Sequence, residues 1–293
     1  MKCVPCLAAL ILAVASAHAG AAEKTVTFDV ENGKVVGTLN LPDGVENPPV
    51  ILMFHGFTGT RDELQTESVK EGIFKRAAGA WADKGIASLR IDFRHSGDSG
   101  SDYANTTVGG QVADGLAALD YLAASGEVDT NRMAIVGWSM GGTVGAAVAG
   151  RTKHDLDAVA LWAPGNNLAF DIAGLIGVDT VKKGLESDGE AVTGTLPWGA
   201  EITLKTGFFD SLFEIDPVAE ITRYKGPLFV AVGTNDTIVI PQAQSGQVFL
   251  DYHDGEEQLF VRPMDHTFNA FETDTLVNEL IDTTGDFISK HFN

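Results

Sequence analysis

Five residues, Gly137-Trp138-Ser139-Met140-Gly141, set a serine between two glycines, with an apolar run before it and small residues after it. Met133 to Trp138 reads as a buried strand, and Gly141 to Gly150, rich in Gly, Ala and Val, as a helix. A serine on so tight a strand-to-helix turn projects its hydroxyl. Glycines two before and two after it avoid the collisions that larger residues would make there. The helix also directs its free N–H groups and positive dipole end to the place where an oxyanion would form. The chemistry this spacing suits is nucleophilic attack by Ser139.

A serine hydroxyl needs a base to take its proton, and the base needs an acid to orient it. In open α/β sheets the working residues gather at the carboxyl ends of strands. That rule sorts the seven histidines. His18 falls in an expected leader, His154 at a helix end, His253 before a strand and His291 in the C-terminal tail. His266, in Arg262-Pro263-Met264-Asp265-His266, directly follows the last strand and is the expected base. His55 and His95 also follow strands. His55 is read as bracing its loop by hydrogen bonds rather than titrating. For the acid, Ala163-Pro164-Gly165 offers no carboxylate after its strand, whereas Gly233-Thr234-Asn235-Asp236 offers one. Asp236 is the choice and Asp265 the rival, although an immediate neighbour reaches the far imidazole nitrogen poorly. Two backbone donors complete the set: the N–H of Met140, and the N–H of Phe57 in the loop His55-Gly56-Phe57-Thr58-Gly59.

The elements that must position these groups alternate. Two strand-like segments, Thr25 to Val30 and Val35 to Leu41, flank the turn Glu31-Asn32-Gly33. Apolar runs follow at Val50 to Phe54, Ile86 to Phe93, Met133 to Trp138, Ala158 to Ala163, Leu228 to Val232 and, shorter, Leu259 to Val261. Runs apolar on both faces point to a parallel sheet covered by helices on each side. The spacing predicts helices over Ser68 to Lys84, Val108 to Ala124, Gly141 to Lys153, Pro241 to Tyr252 and Thr273 to His291. The result is a doubly wound α/β fold, one domain over residues 20–293. One gap, from Ala163 to Leu228, has no evident strand. Asp216 to Tyr224 can supply its crossover helix, and about 165–215 reads as a helical lid insertion. Leu168, Phe170, Ile172, Leu175 and Ile176 recur there at helical spacing, and Phe208, Phe209, Leu212 and Phe213 form an aromatic cluster. Trp198, between Pro197 and Gly199, is the residue there expected to touch substrate.

Met1-Lys2, the apolar stretch Leu7 to Val14 and Ala17-His18-Ala19 read as a secretory signal peptide over residues 1–19. Secretion or periplasmic export is therefore expected. Both cysteines, Cys3 and Cys6, fall inside it, so the exported chain would have no disulfide, thiol nucleophile or thiolate metal site. Twenty basic against forty acidic residues leave a formal charge of −20. No basic stripe exists, which argues against nucleic acid, anionic lipid and polyanionic substrates. No further segment approaches a membrane-spanning length. With no Gly-x-Gly-x-x-Gly, phosphate-binding Gly-Lys-Ser/Thr or His-Glu-x-x-His pattern, no cofactor or metal is implied.

The order Ser139, Asp236, His266, each after a strand, resembles that of α/β-hydrolase serine esterases. Within that superfamily the chain is most similar to bacterial feruloyl (cinnamoyl) esterases. The likeness rests on His-Gly-Phe-Thr-Gly at His55 to Gly59, Ser-Gly-Asp-Ser-Gly at Ser96 to Gly100, the Asp236 and His266 positions, and a Trp198-bearing insertion. It implies a carboxylic ester hydrolase acting through an acyl-enzyme on short-chain or aryl-acyl esters, small or polymer-linked. His95 departs from the glycine many relatives carry, which bears on the shape of that loop. The Gly-Trp-Ser-Met-Gly-Gly elbow is also similar to that of cutinase-like polyester hydrolases. A serine peptidase or amidase on the same fold is a further alternative.

Overall fold

The computed structural model describes residues 21–100 and 102–292. The expected signal peptide, with Cys3 and Cys6, lies outside these residues. The strands are β1 (Ala22–Val30), β2 (Gly33–Leu41), β3 (Val50–Phe54), β4 (Ala87–Asp92), β5 (Met133–Trp138), β6 (Ala158–Trp162), β7 (Val192–Thr195), β8 (Glu201–Leu204), β9 (Leu228–Gly233) and β10 (Glu257–Arg262). The α-helices are α1 (Ile73–Ala82), α2 (Val108–Ser125), α3 (Met140–Arg151), α4 (Leu168–Ile176), α5 (Val178–Leu185), α6 (Thr206–Ser211), α7 (Pro217–Ile221), α8 (Gln244–Tyr252) and α9 (Thr275–His291).

Eight strands make one sheet in the order β1-β2-β4-β3-β5-β6-β9-β10. β2 runs antiparallel to β1 and β4, and the other neighbours pair in parallel. Every residue of β3, β4, β5, β6 and β9 is buried, as a sheet covered on both faces requires. One face packs on α1 and α9 through Ile51, Met53, Trp81, Trp162, Phe229 and Phe287. The other packs on α2, α3 and α8 through Leu52, Phe54, Ile135, Leu161 and Val230. The carboxyl ends of β3, β5, β9 and β10 therefore open on one edge, where the loops bearing Phe57, Ser139, Asp236 and His266 emerge.

Helix ends follow local chemistry. Thr107 accepts from the Gly110 N–H at the start of α2, and Gly126, at φ 67°, ends it in the left-handed region. α1 starts at Ile73 rather than at the expected Ser68. The carbonyls of Asp62 and Glu63 accept from Ile73, Phe74 and Lys75, so the N-terminal donors are satisfied by a loop instead of another helical turn.

The segment at 165–215 departs from a purely helical insertion. Besides α4, α5 and α6 it contains the antiparallel hairpin β7–β8, in register Val192↔Leu204. Strands of four residues with half-exposed patterns leave little periodicity to read. Trp198 sits in the hairpin turn, where the Gly199 N–H donates to Leu196 O and Gly199 takes φ 86°. The buried stripe of α4 is Leu168, Asp171, Ile172 and Ile176, and Phe170 points outward at 55% exposure. In the aromatic cluster Phe208, Phe209 and Leu212 are buried, whereas Phe213 is 64% exposed.

Candidate active site

Ser139 joins β5 to α3 with φ 56° and ψ −121°, a conformation that costs a non-glycine residue on the order of 1–3 kcal/mol. The surroundings hold it there. Its N–H donates to Trp162 O at 2.9 Å, tying it to β6, and its carbonyl accepts from Gly142 and Thr143. Both flanking glycines are required by close approach. A Cβ on Gly137 would lie 2.2 Å from Gly141 O, and one on Gly141 would lie 2.1 Å from Phe54 O. The turn is thus wedged between its own helix and the end of β3, with the serine side chain left at the sheet edge.

The structure brings the three sequence-selected side chains together. His266 Nε2 lies 2.9 Å from Ser139 Oγ, and His266 Nδ1 lies 2.8 Å from Asp236 Oδ2. Asp236 Oδ1 accepts from the Ile238 and Val239 N–H groups, which fixes the carboxylate from its other side. Asp265 is not on the imidazole. Its Oδ1 accepts from the Thr267 and Asn269 N–H groups and from the Thr267 hydroxyl, closing the turn that carries His266. Sequence reasoning missed Trp138 as a support. Its indole N–H donates to His266 O at 3.1 Å, and its ring lies 5.5 Å from the imidazole centroid. His154 meets Asp120, and His253 meets Glu257, both away from this cluster.

The loop after β3 is gripped at the Gly56, Thr58 and Gly59 amides. His55 Nδ1 lies 2.8 Å from Gly56 O, and Phe93 N–H donates to His55 Nε2 at 3.2 Å, so the ring carries its proton on Nδ1. Burial pushes this imidazole down to about 4, keeping it neutral and bracing rather than titrating near neutral pH. Gly56 N–H donates to Glu63 Oε2, Thr58 N–H to Tyr103 Oη and Gly59 N–H to Gly56 O. The Phe57 N–H meets no acceptor among the described residues. It belongs to the same peptide as the clamped Gly56 carbonyl and points the opposite way. Gly56 packs on the nucleophile, for a Cβ there would be 3.3 Å from Ser139 Cβ. Met140 opens α3, and its N–H has no helical carbonyl to meet. His95 takes φ 69°, so the loop after β4 keeps a glycine-like shape despite the imidazole.

One further feature borders the β3 loop and one the elbow. A groove of about 400 Å³ lies between the β3 loop, Asp102 to Ala104 and the hairpin, lined by Thr58, Tyr103, Leu196, Trp198, Glu201 and Ile202. Trp198 is 62% exposed at its lip. Asp171 is the second. It is 5% exposed, and neither carboxyl oxygen has a hydrogen-bond partner among the described residues. A Cβ on Gly165, whose N–H donates to Ser139 O, would lie 3.1 Å from Asp171 Oδ2. Burial pushes this carboxyl up to about 7, with His266 lowering it and Asp236 raising it. An acid on the apolar stripe of a helix is the sequence signal that marks it.

Such a group has a stability signature. Its folded pKa lies above the unfolded one, so the native state holds a proton that the unfolded chain has released. Its contribution is complete below about pH 4 and is lost as pH rises through about 7. Asp171→Asn is therefore expected to raise the melting temperature by a few degrees at pH 8.5 and to change it little near pH 4. Equal shifts at both pH values would contradict the buried-acid assignment.

The chain is similar to proteins that share this architecture. A family model described as the prolyl oligopeptidase family matches residues 74–169. The quorum-quenching protein AidA of Acinetobacter baumannii is 31% identical over 118 residues, 40% of this chain and 36% of that protein. The chain thus matches about a third of the length of the curated relatives. Among solved structures, Est1E from Butyrivibrio proteoclasticus with ferulic acid bound superposes with a TM-score of 0.72 at 18% identity, covering 91% of this chain and 98% of that one. A puromycin-hydrolyzing peptidase of Mycobacterium tuberculosis superposes with a TM-score of 0.67 at 20% identity, covering 93% of this chain and 40% of that one. The chain has the α/β-hydrolase fold.

Proposed function

We propose that this chain is a serine carboxylic ester hydrolase. The observation that carries the reading is the unbroken relay Ser139 Oγ–His266–Asp236, at 2.9 and 2.8 Å, on a strained elbow. Ser139 Oγ attacks the ester carbonyl carbon while His266 Nε2 takes its proton, and Asp236 holds the imidazole tautomer and stabilises the imidazolium. The carbonyl oxygen becomes an oxyanion facing the Phe57 and Met140 N–H groups. Collapse of the tetrahedral intermediate breaks the bond to the leaving oxygen, which takes the proton from His266 and departs as the alcohol. Water, deprotonated by His266, then attacks the acyl carbon. Collapse of the second tetrahedral intermediate breaks the bond to Ser139 Oγ, which takes the proton back from His266 as the acid leaves.

The acyl group is proposed to be short or aryl. Trp198 supplies an aromatic surface at the groove beside the β3 loop. Est1E, whose structure holds ferulic acid, has the same fold, which supports an aryl-acyl ester. A peptidase or amidase is the second reading, favoured by the match to the prolyl oligopeptidase family model. Hydrolysis rates for p-nitrophenyl acetate, methyl ferulate, a polyester film and aminoacyl anilides separate these classes. Turnover of the anilides with negligible ester cleavage would overturn the ester reading.

Trp198→Ala is expected to lower kcat/KM for methyl ferulate several-fold more than for p-nitrophenyl acetate. An indole covers a phenyl-sized group, and stacking adds about 0.5–1.5 kcal/mol beyond burial. An unchanged ratio of the two kcat/KM values would remove Trp198 from the substrate site. Export is proposed as well, and cleavage of the leader after Ala19 would give a secreted or periplasmic chain beginning at Gly20.

A further inference from the structure

Glu63 lies eight residues beyond His55, yet it sits directly beneath the β3 loop. Its Oε2 accepts the Gly56 N–H at 2.6 Å, and a Cβ on Gly59 would lie 2.5 Å from its Oε1. The residue is 4% exposed. It is fixed from the opposite side as well, because its carbonyl accepts the Ile73 N–H at 2.7 Å at the start of α1. Both Glu63 and Leu64 hold left-handed φ angles, 46° and 39°, an unfavourable pair for residues with long side chains. Gly72 is required for this arrangement, since a Cβ there would lie 2.7 Å from Glu63 O. A strained turn, a helix start and a glycine all converge on placing one carboxyl under the loop.

We propose that Glu63 is the positioning residue of the oxyanion loop: anchored to the α1 N-terminus through its carbonyl, it grips the Gly56 N–H from below and so holds the Phe57 N–H toward the reacting carbonyl. This rests on the ester hydrolase reading, in which the Phe57 N–H meets the oxyanion. Two clamps act on adjacent peptides, Glu63 on the Gly56 N–H and His55 on the Gly56 carbonyl. Together they fix the orientation of the peptide that carries the Phe57 donor. Tyr103, accepting the Thr58 N–H, steadies the next peptide.

The groups around the carboxyl set its charge. Asp92, at the end of β4, faces it and disfavours ionisation. Arg61 pairs with Asp92 and Asp98 and so is committed elsewhere. Tyr103 is held above its ordinary range by burial and by Glu63, and His55 is neutral, so neither brings a positive charge. Burial pushes the Glu63 carboxyl up to about 8, the Gly56 and Leu64 N–H groups lowering it only in part. At neutral pH the group accepts the Gly56 N–H without carrying a full charge. Above about pH 8 it would ionise and set a negative charge behind the site where a second one develops during reaction.

The test uses the full-length protein, p-nitrophenyl acetate, and kcat and KM measured from pH 6 to 10. Glu63→Ala, folded by circular dichroism, is expected to lose roughly 10–100-fold in kcat at pH 7, with KM within about threefold, as for a displaced oxyanion donor. Glu63→Gln, which keeps the acceptor and cannot ionise, is expected to restore most of that kcat. It should also abolish the descending limb expected of the unsubstituted protein near pH 8. Normal kcat in folded Glu63→Ala, or the same limb in Glu63→Gln, would overturn the proposal. If Glu63→Ala does not fold, the Glu63→Gln profile decides. Ser139→Ala run in parallel separates the two levels. An inactive Ser139→Ala beside an unaffected Glu63→Ala overturns only the Glu63 role, whereas an active Ser139→Ala overturns the site and the Glu63 role together.

Discussion

Ser139→Ala and His266→Ala are each expected to lower kcat for ester hydrolysis by roughly 10⁶-fold, and the double substitution to lose little more. The reason is the relay at 2.9 and 2.8 Å, in which the nucleophile has no driving force without the base and the base has no task without the nucleophile. KM should change far less, because neither substitution alters the groove beside Trp198. Fold should survive as well. Ser139→Ala even keeps the backbone bonds to Trp162, Gly142 and Thr143 that secure the elbow. Single-turnover and steady-state kinetics on the three variants check this, and multiplicative losses in the double variant would contradict a concerted unit.

The second large effect distinguishes two neighbouring carboxylates. Asp236→Asn is expected to lower kcat by about 10⁴-fold, since an amide in place of Oδ2 favours the wrong imidazole tautomer while preserving the geometry. Asp265→Asn should leave kcat within a few-fold, although it weakens the turn that Asp265 closes through Thr267 and Asn269. Its cost should appear in melting temperature instead. The reverse pattern of activities would transfer the orienting role to Asp265 and contradict the geometry.

How far these features were legible in the sequence depends on what each one needs. β3 and β5 coincide with their apolar runs from end to end, because burial on both faces leaves no polar position to blur the limits. β10 extends three residues beyond its run, being an edge strand whose outer positions are exposed. β7 and β8 were hidden by their length, and the α1 start by caps donated from a distant loop. Ser139, His266 and Asp236 could be selected because strand ends are a one-dimensional property. Glu63, Trp138 and Asp171 could not be assigned a role in the same way. Their environments are made by α1, the His266 turn and the Gly165 loop, which sequence spacing does not bring together. Asp171 alone left a trace, as a carboxyl on the buried stripe of α4.

The central claim is that Ser139 carries the acyl group. The most direct measurement is intact-mass and peptide mapping of the protein quenched during turnover of a slowly deacylated p-nitrophenyl ester, beside Ser139→Ala. The expected result is one acyl adduct per chain, on the peptide containing Ser139, formed with a stoichiometric burst of p-nitrophenol and absent from the variant. A burst without an adduct on that peptide, or an equal adduct on Ser139→Ala, would contradict it.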